Sequence, residues 1–305
     1  MEWRSAGITW RDGTPALRWA GAGGRVSPLA YGQPLAFRAV GGARRCSGAR
    51  GNPCPLAATV PGRGTGGRCA ECARLDRAHS VAADTMADDP RPYRVYLAWF
   101  GPGLVKVGIT GEERGPARLL EQGAVAFSWL GRGPLMAARR TEEVLRAALA
   151  VPDRIPYARK RAVRYGLPPA PERAREVAEL HARAAAVPAW SETLEPLPCR
   201  VTDHAGPFGL AGLEERGTGP VAVVTELVDD GVVAGRLLAA AGPDLHLAGP
   251  AADGGTLVLD TRLLTGWGLV AGPEDPHVSV PLAVSPARSD ARSAALAEDS
   301  QDALF

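Results

Sequence analysis

Four of the five cysteines crowd into one stretch with the spacing Cys46-x7-Cys54-x14-Cys69-x2-Cys72. The residues between them (SGARGNP, PLAATVPGRGTGGR, AE) are rich in Gly and Pro and too poor in large apolar side chains to build a core. Four thiolates around a tetrahedral Zn²⁺ would supply the missing stabilisation. The tight Cys69-Ala-Glu-Cys72 pair suits one arm of a zinc knuckle, whereas the Cys46/Cys54 gap is wider than the usual spacing, and His79 is an alternative fourth ligand. A closed site of this kind is structural and not catalytic. The N-terminal run MEWRSAGITWRDG lacks the apolar core of a secretory signal, so the expected setting is cytoplasmic, where disulfides are disfavoured. Cys199 stands apart and is expected to be a buried small apolar residue.

At 305 residues the chain exceeds what one hydrophobic core usually serves. Its periodicities predict an α+β protein built in segments. Residues 1–79 hold a small N-terminal β unit (GITW, ALRWAG, LAYGQPLAFRAVGG) followed by the zinc segment. Residues 80–92 read as a linker. Residues 93–190 hold two strands and a helical extension, with helices expected over 137–149 and 171–187 from apolar positions three and four apart. Residues 191–284 return to short apolar runs between Gly and Pro and are expected to form a small β barrel or sandwich. Residues 285–305 have the composition of a disordered tail. No run approaches the ~18 apolar residues of a membrane span.

Charge is uneven along the chain. Between Arg91 and Tyr165 there are 14 Lys and Arg against 6 Asp and Glu, so this segment carries 14 − 6 = +8 while the whole chain carries +2. A basic segment of this kind suits phosphates. Arginine outnumbers lysine everywhere, with Lys106 and Lys160 the only lysines, in a background rich in Ala, Gly and Pro. That bias weakens arginine content alone as a sign of nucleic acid.

Within the basic segment, YRVYLAWFGPGLVKVGIT reads as two strands around a Gly-Pro-Gly turn. Alternation places Val105, Val107 and Ile109 toward the core and Lys106, Gly108 and Thr110 on an open face. A glycine there would admit a ligand backbone. Downstream stand Arg114, Arg118 and Gln122, then Glu142 and Glu143 on the first long helix. A tyrosine to position water, an arginine to neutralise a phosphate oxygen and a glutamate to hold Mg²⁺ or Mn²⁺ would make a phosphodiester site. Taken singly, Tyr96 can equally be a half-buried strand residue, Arg118 a surface arginine, and Glu142 a solvated partner of Arg139 and Arg146.

The order VYLAWFGPGLVKVGIT, Arg118, Glu142 resembles the core of GIY-YIG nucleases over about residues 93–150. The resemblance implies catalytic roles for Tyr96, Arg118 and Glu142, the last as the Mg²⁺ ligand, with Lys106, Gly108, Thr110, Arg114 and Gln122 facing nucleic acid. The chain departs from the pattern at Lys106, where these nucleases usually carry a second tyrosine. Over most of residues 6–270 the chain also resembles an uncharacterised bacterial family that joins a cysteine-rich zinc segment to such a core. The final QDALF resembles peptides that bind the bacterial sliding clamp, with Gln301 as the polar anchor and Leu304 and Phe305 as the apolar pair.

Together these features lead to the expectation of a metal-dependent, structure-selective DNA endonuclease in repair or replication, with structural zinc and recruitment by the clamp. The alternatives are a non-catalytic nucleic-acid adaptor with a degenerate site, or a zinc-containing protein-interaction scaffold.

Overall fold

The computed structural model describes residues 3–20, 24–78, 89–152, 154–188, 190–214, 221–249, 255–273 and 277–285. Two compact units divide the chain, one of Met1–Arg77 with Gly209–Phe305 and one of Ala78–Phe208. Among the described residues no helix is long and apolar enough to cross a membrane.

The first unit begins with β1 (Trp3–Arg11), β2 (Thr14–Trp19), β3 (Val26–Pro28), β4 (Pro34–Val40) and α1 (Ala70–Ala78). Asp12 and Gly13, both at positive φ, join β1 to β2 in the two-residue turn that matches the twist of a hairpin. In chain order the second unit follows, with β5 (Tyr93–Gly101), β6 (Leu104–Gly111), α2 (Ala117–Gln122), β7 (Ala126–Gly133), α3 (Leu135–Ala148), α4 (Tyr157–Val163), α5 (Ala170–Ala185), β8 (Glu195–Pro196) and β9 (Thr202–Asp203). The first unit then resumes with α6 (Ala211–Glu214), β10 (Val221–Val224), β11 (Val232–Ala241), β12 (Asp244–Ala248), β13 (Thr256–Asp260), β14 (Gly268–Ala271) and β15 (Leu282–Ser285).

The strands from the two ends of the chain share one sheet, ordered β15-β10-β13-β12-β11-β4-β14-β1-β2-β3. The late β14 lies between β4 and β1, and β4 pairs on its other side with β11. Of the barrel or sandwich expected over residues 191–284, the barrel is corrected: the order is open and no barrel closes among the described residues. Every residue of β12 and β13 is buried, so these strands need partners on both edges as well as cover on both faces. Periodicity marks such strands, but it does not choose their neighbours.

A buried arginine ties the cysteine segment to this sheet. Arg44, 1% exposed, donates to the carbonyls of Pro61 and Gly64 in the cysteine loop and of Arg262 and Thr265 in the turn after β13, all at 2.8–2.9 Å. Burial pushes its pKa down, while the four carbonyls give the guanidinium the acceptors that water would otherwise supply. Arg44→Met would leave those carbonyls without their donor. It is expected to lower unfolding stability by about 3 kcal/mol or more, read from urea denaturation.

The second unit has a sheet in the order β6-β5-β7-β8, with β9 also on β7. Pro102 and Gly103 make the β5–β6 turn, Gly103 taking the positive φ that only glycine adopts without strain. On β5 the residues of both parities are buried, Val95, Leu97 and Trp99 as fully as Tyr96, Ala98 and Phe100. Both faces of the sheet are therefore covered. Tyr96, Ala98, Phe100 and Phe127 pack with Leu119 of α2, Ile155, and the half-buried Trp129 and Val163. α3 buries Leu135, Ala138, Thr141 and Leu145 along one stripe, and α5 buries Arg173, Val177, His181 and Ala184. Both helices lie within two residues of the positions predicted from spacing.

Candidate active site and metal centre

Tyr96 stands directly across from Gly108 in the β5–β6 ladder. A Cβ at position 108 would lie 2.3 Å from the Tyr96 hydroxyl oxygen and 2.4 Å from its ring carbon. The phenol fills the space that the missing side chain leaves, a correction to the expected open face that would admit a ligand backbone. Thr110 is also buried, 4% exposed, and its Oγ1 has no hydrogen-bond partner among the described residues. Lys106 and Ile109 are half-buried. The expected split into a core face and an open face is therefore corrected, because Gly108 and Thr110 are as buried as Val105 and Val107.

Gln122, the last residue of α2, is 7% exposed and donates from Nε2 to Tyr96 Oη at 2.7 Å. The expected nucleic-acid contact at Gln122 is corrected accordingly, because its amide is engaged inside the fold. Two of the other predicted residues act on the same phenol. Burial pushes the Tyr96 pKa up, hydrogen bonds from Gln122 and Arg118 and the Arg118 charge pull it down, and the Glu142 carboxylate pushes it up. Arg118 and Glu142, far from Tyr96 in sequence, thus carry charges that act on its phenol in opposite directions. Glu142 is half-buried beside the apolar stripe of α3, while Glu143 is exposed.

The arginines of this site share a carboxylate. Arg114 contacts both oxygens of Glu121 at 2.6 and 2.7 Å, and Arg118 Nη1 lies 3.6 Å from the same group. Both side chains remain 43% exposed, open to a second anion from solvent. Lys160 was not anticipated as part of the site. It is 4% exposed, donates to the Gln122 carbonyl at 3.0 Å, and sits 3.8 Å above the Phe100 ring and 4.6 Å from that of Tyr157. Its only signal in the sequence is being a lysine in an arginine-rich chain.

In a folded protein a raised tyrosine pKa stabilises the fold below the unfolded value of about 10, and that stability is lost as pH climbs through the folded pKa. Tyr31, Tyr93 and Tyr96 are all raised, in each case chiefly by burial. Stability is expected to be insensitive to these groups up to about pH 10 and to fall above it, with phenolate absorbance rising together with loss of circular dichroism. Phenolate absorbance from all five tyrosines near pH 10 in a still-folded protein would contradict this placement.

The four clustered cysteines meet in the first unit. Their sulfur atoms all lie within 4.8 Å of one another, and Cys54 Sγ is 3.9 Å from Cys69 Sγ. A tetrahedral zinc with bonds of 2.3 Å separates its sulfurs by about 3.8 Å. The donor set and spacing fit zinc, and Cys46, Cys54, Cys69 and Cys72 are the residues that can hold it. Backbone N–H groups of Gly48 and Cys69 point at Cys46 Sγ, 3.4 and 3.2 Å away, as donors to a charged thiolate do. The Ala58 and Leu56 backbone amides help bring the Cys54 thiol down to about 7, while burial pushes Cys72 up to about 12. Gly48 has positive φ, and a Cβ there would lie 1.9 Å from the Asn52 carbonyl oxygen, so the loop needs glycine at that bend.

His79, the alternative ligand, and the tail residues Gln301, Leu304 and Phe305 lie outside the described residues. Cys199 is exposed and not buried as expected. Pro196 and Pro198 flank this stretch, and the backbone is held through Leu197 N and Arg200 N, leaving the cysteine side chain in solvent.

Searches of the curated proteins and of the solved structures returned no match. A family described as Protein of unknown function (DUF2797) matches residues 32–269, a span that takes in the cysteine cluster, the Tyr96 site and most of the large sheet. The chain belongs to this family, and in this chain the matched span joins a cysteine cluster able to hold zinc to a mixed α+β body.

Proposed function

We propose that the chain is a metal-dependent endonuclease of GIY-YIG type acting on branched or interrupted DNA in repair or replication. The observation that carries this reading is the setting of one phenol: Tyr96, seated over Gly108, takes a hydrogen bond from Gln122 and lies within the influence of the Arg118 and Glu142 charges. Hydrolysis needs a water oxygen to form a bond to phosphorus as the bond to the leaving sugar oxygen breaks, with the water's proton passing to the leaving oxygen through solvent. Arg118 would neutralise a phosphate oxygen, and Tyr96 would contact the phosphate or the water. Glu142 offers the carboxylate for Mg²⁺ or Mn²⁺, an ion that keeps most of its waters and takes its remaining ligands from the substrate phosphate. When bound, that ion would stabilise charge on the leaving oxygen.

In this reading zinc on Cys46, Cys54, Cys69 and Cys72 is structural, and Gln301, Leu304 and Phe305 recruit the protein to the sliding clamp. Lys106, in the place of the second tyrosine, favours a second reading as a nucleic-acid adaptor without turnover. The test is incubation of the zinc-loaded protein with single-stranded, nicked, flapped and branched DNA and Mg²⁺ or Mn²⁺. Cleavage of the interrupted forms supports the nuclease, and salt-sensitive binding without cleavage supports the adaptor. Absence of binding at low salt would overturn both in favour of a protein-interaction scaffold.

A further inference from the structure

The hydrogen bonds around Tyr96 have a direction. The Gln122 Nε2 group only donates, and it gives its hydrogen to Tyr96 Oη at 2.7 Å. A guanidinium also only donates, and the Arg118 charge acts on the same phenol. Neither neighbour can accept the phenol's own proton. That hydrogen is left for an acceptor on another side of the oxygen, and Glu142 is a nearby carboxylate whose charge acts on Tyr96. A carboxylate engaged with a cation would leave the hydrogen to an oxygen of the substrate.

Gln122 is itself held in place. It ends α2, whose chain turns sharply at Gly123 with φ of 73°, and its carbonyl receives a hydrogen bond from Lys160 Nζ at 3.0 Å. The lysine stands at the carbonyl end of the short helix, where a cation is favoured. Its ammonium lies over the Phe100 and Tyr157 rings, 3.8 and 4.6 Å from their centroids. A compact ammonium fits this seat, and a planar guanidinium would have to spread beyond it, which accounts for lysine at a position flanked by Arg159 and Arg161.

We propose that Gln122, backed by Lys160, is a positioning residue that fixes Tyr96 as a hydrogen-bond donor to a non-bridging oxygen of a bound phosphodiester. This deepens the nuclease reading and rests on it for the identity of the ligand. Tyr96 would act as a neutral donor and not as the base that deprotonates water. Arg118 and Tyr96 would then grip the phosphate from two sides.

The experiment uses the full zinc-loaded chain carrying tyrosine labelled at the ζ carbon, with the Tyr96 resonance assigned through Tyr96→Phe. In Gln122→Leu that resonance is expected to move while the other tyrosines stay in place, and Lys160→Met is expected to move it less. On flapped DNA with Mg²⁺, Gln122→Leu should lower kcat by about 10- to 100-fold with KM changed little, as for loss of a preorganised contact. Lys160→Arg should fail to restore what Lys160→Met loses. An unmoved Tyr96 resonance in Gln122→Leu would overturn the positioning role, and so would equal losses of kcat in Gln122→Leu and Gln122→Asn with no change at Tyr96. If the wild type cleaves nothing, the nuclease reading fails by itself. The resonance, together with its response to an added dinucleotide phosphodiester, still decides whether Tyr96 is held by Gln122 and donates to phosphate, and no response to the dinucleotide would overturn the donor assignment.

Discussion

Replacing Cys69 and Cys72 together by serine is expected to abolish zinc binding and to lower the thermal midpoint by on the order of 10 °C. No regular element holds the segment. Between β4 and α1 its strand pairing among the described residues is limited to isolated bridges, Arg45 with Thr59, Ala49 with Asn52 and Arg63 with Glu226, beside loop hydrogen bonds such as Ser47 N–H to the Gly67 carbonyl. Val60 is its buried apolar side chain there, with Cys72 of α1 beyond it, and Leu56 is 70% exposed. Arg44 ties only one end of the loop to the sheet. Metal content measured on purified protein, with midpoints before and after chelation, checks the prediction. A metal-free wild type with the same midpoint as the double variant would refute the zinc assignment.

The second large effect belongs to the acid on α3. Glu142→Ala is expected to reduce DNA cleavage by about 10³-fold or more while leaving the fold intact, because the helix stripe is formed by its neighbours Ala138, Thr141 and Leu145. Glu143→Ala should change little, since that side chain is exposed one position away. Tyr96→Phe is expected to cost about 10²-fold through loss of the hydroxyl that Gln122 addresses. Single-turnover rates on flapped DNA separate these losses from weakened binding. Equal losses in Glu142→Ala and Glu143→Ala would point to a general charge effect and away from a site.

Local features were legible from the sequence and long-range ones were not. The spacing of Cys46, Cys54, Cys69 and Cys72 announced a cluster because four thiols in a chain without its own core have few other uses. The β5–β6 hairpin was legible because Pro102 and Gly103 encode their turn within two residues. The partners of β14 and β4 were not, because edge pairing over more than 200 residues leaves no local trace. Gly108 was recognised as a cleared position, but what occupies the clearing is a cross-strand tyrosine, which depends on register. Gln122 was picked out as polar and placed in the wrong role, since a buried amide and an exposed one look alike in sequence. Arg44 went unseen among many arginines, because its four carbonyl contacts depend on where the chain folds back.

The decisive measurement is side-by-side cleavage of flapped DNA by the wild type and Glu142→Ala, both zinc-loaded and supplied with Mg²⁺. Metal-dependent cleavage by the wild type and its loss in the variant at unchanged zinc content are expected. Equal cleavage by the two proteins, or salt-sensitive binding by both with no cleavage by either, would contradict this expectation.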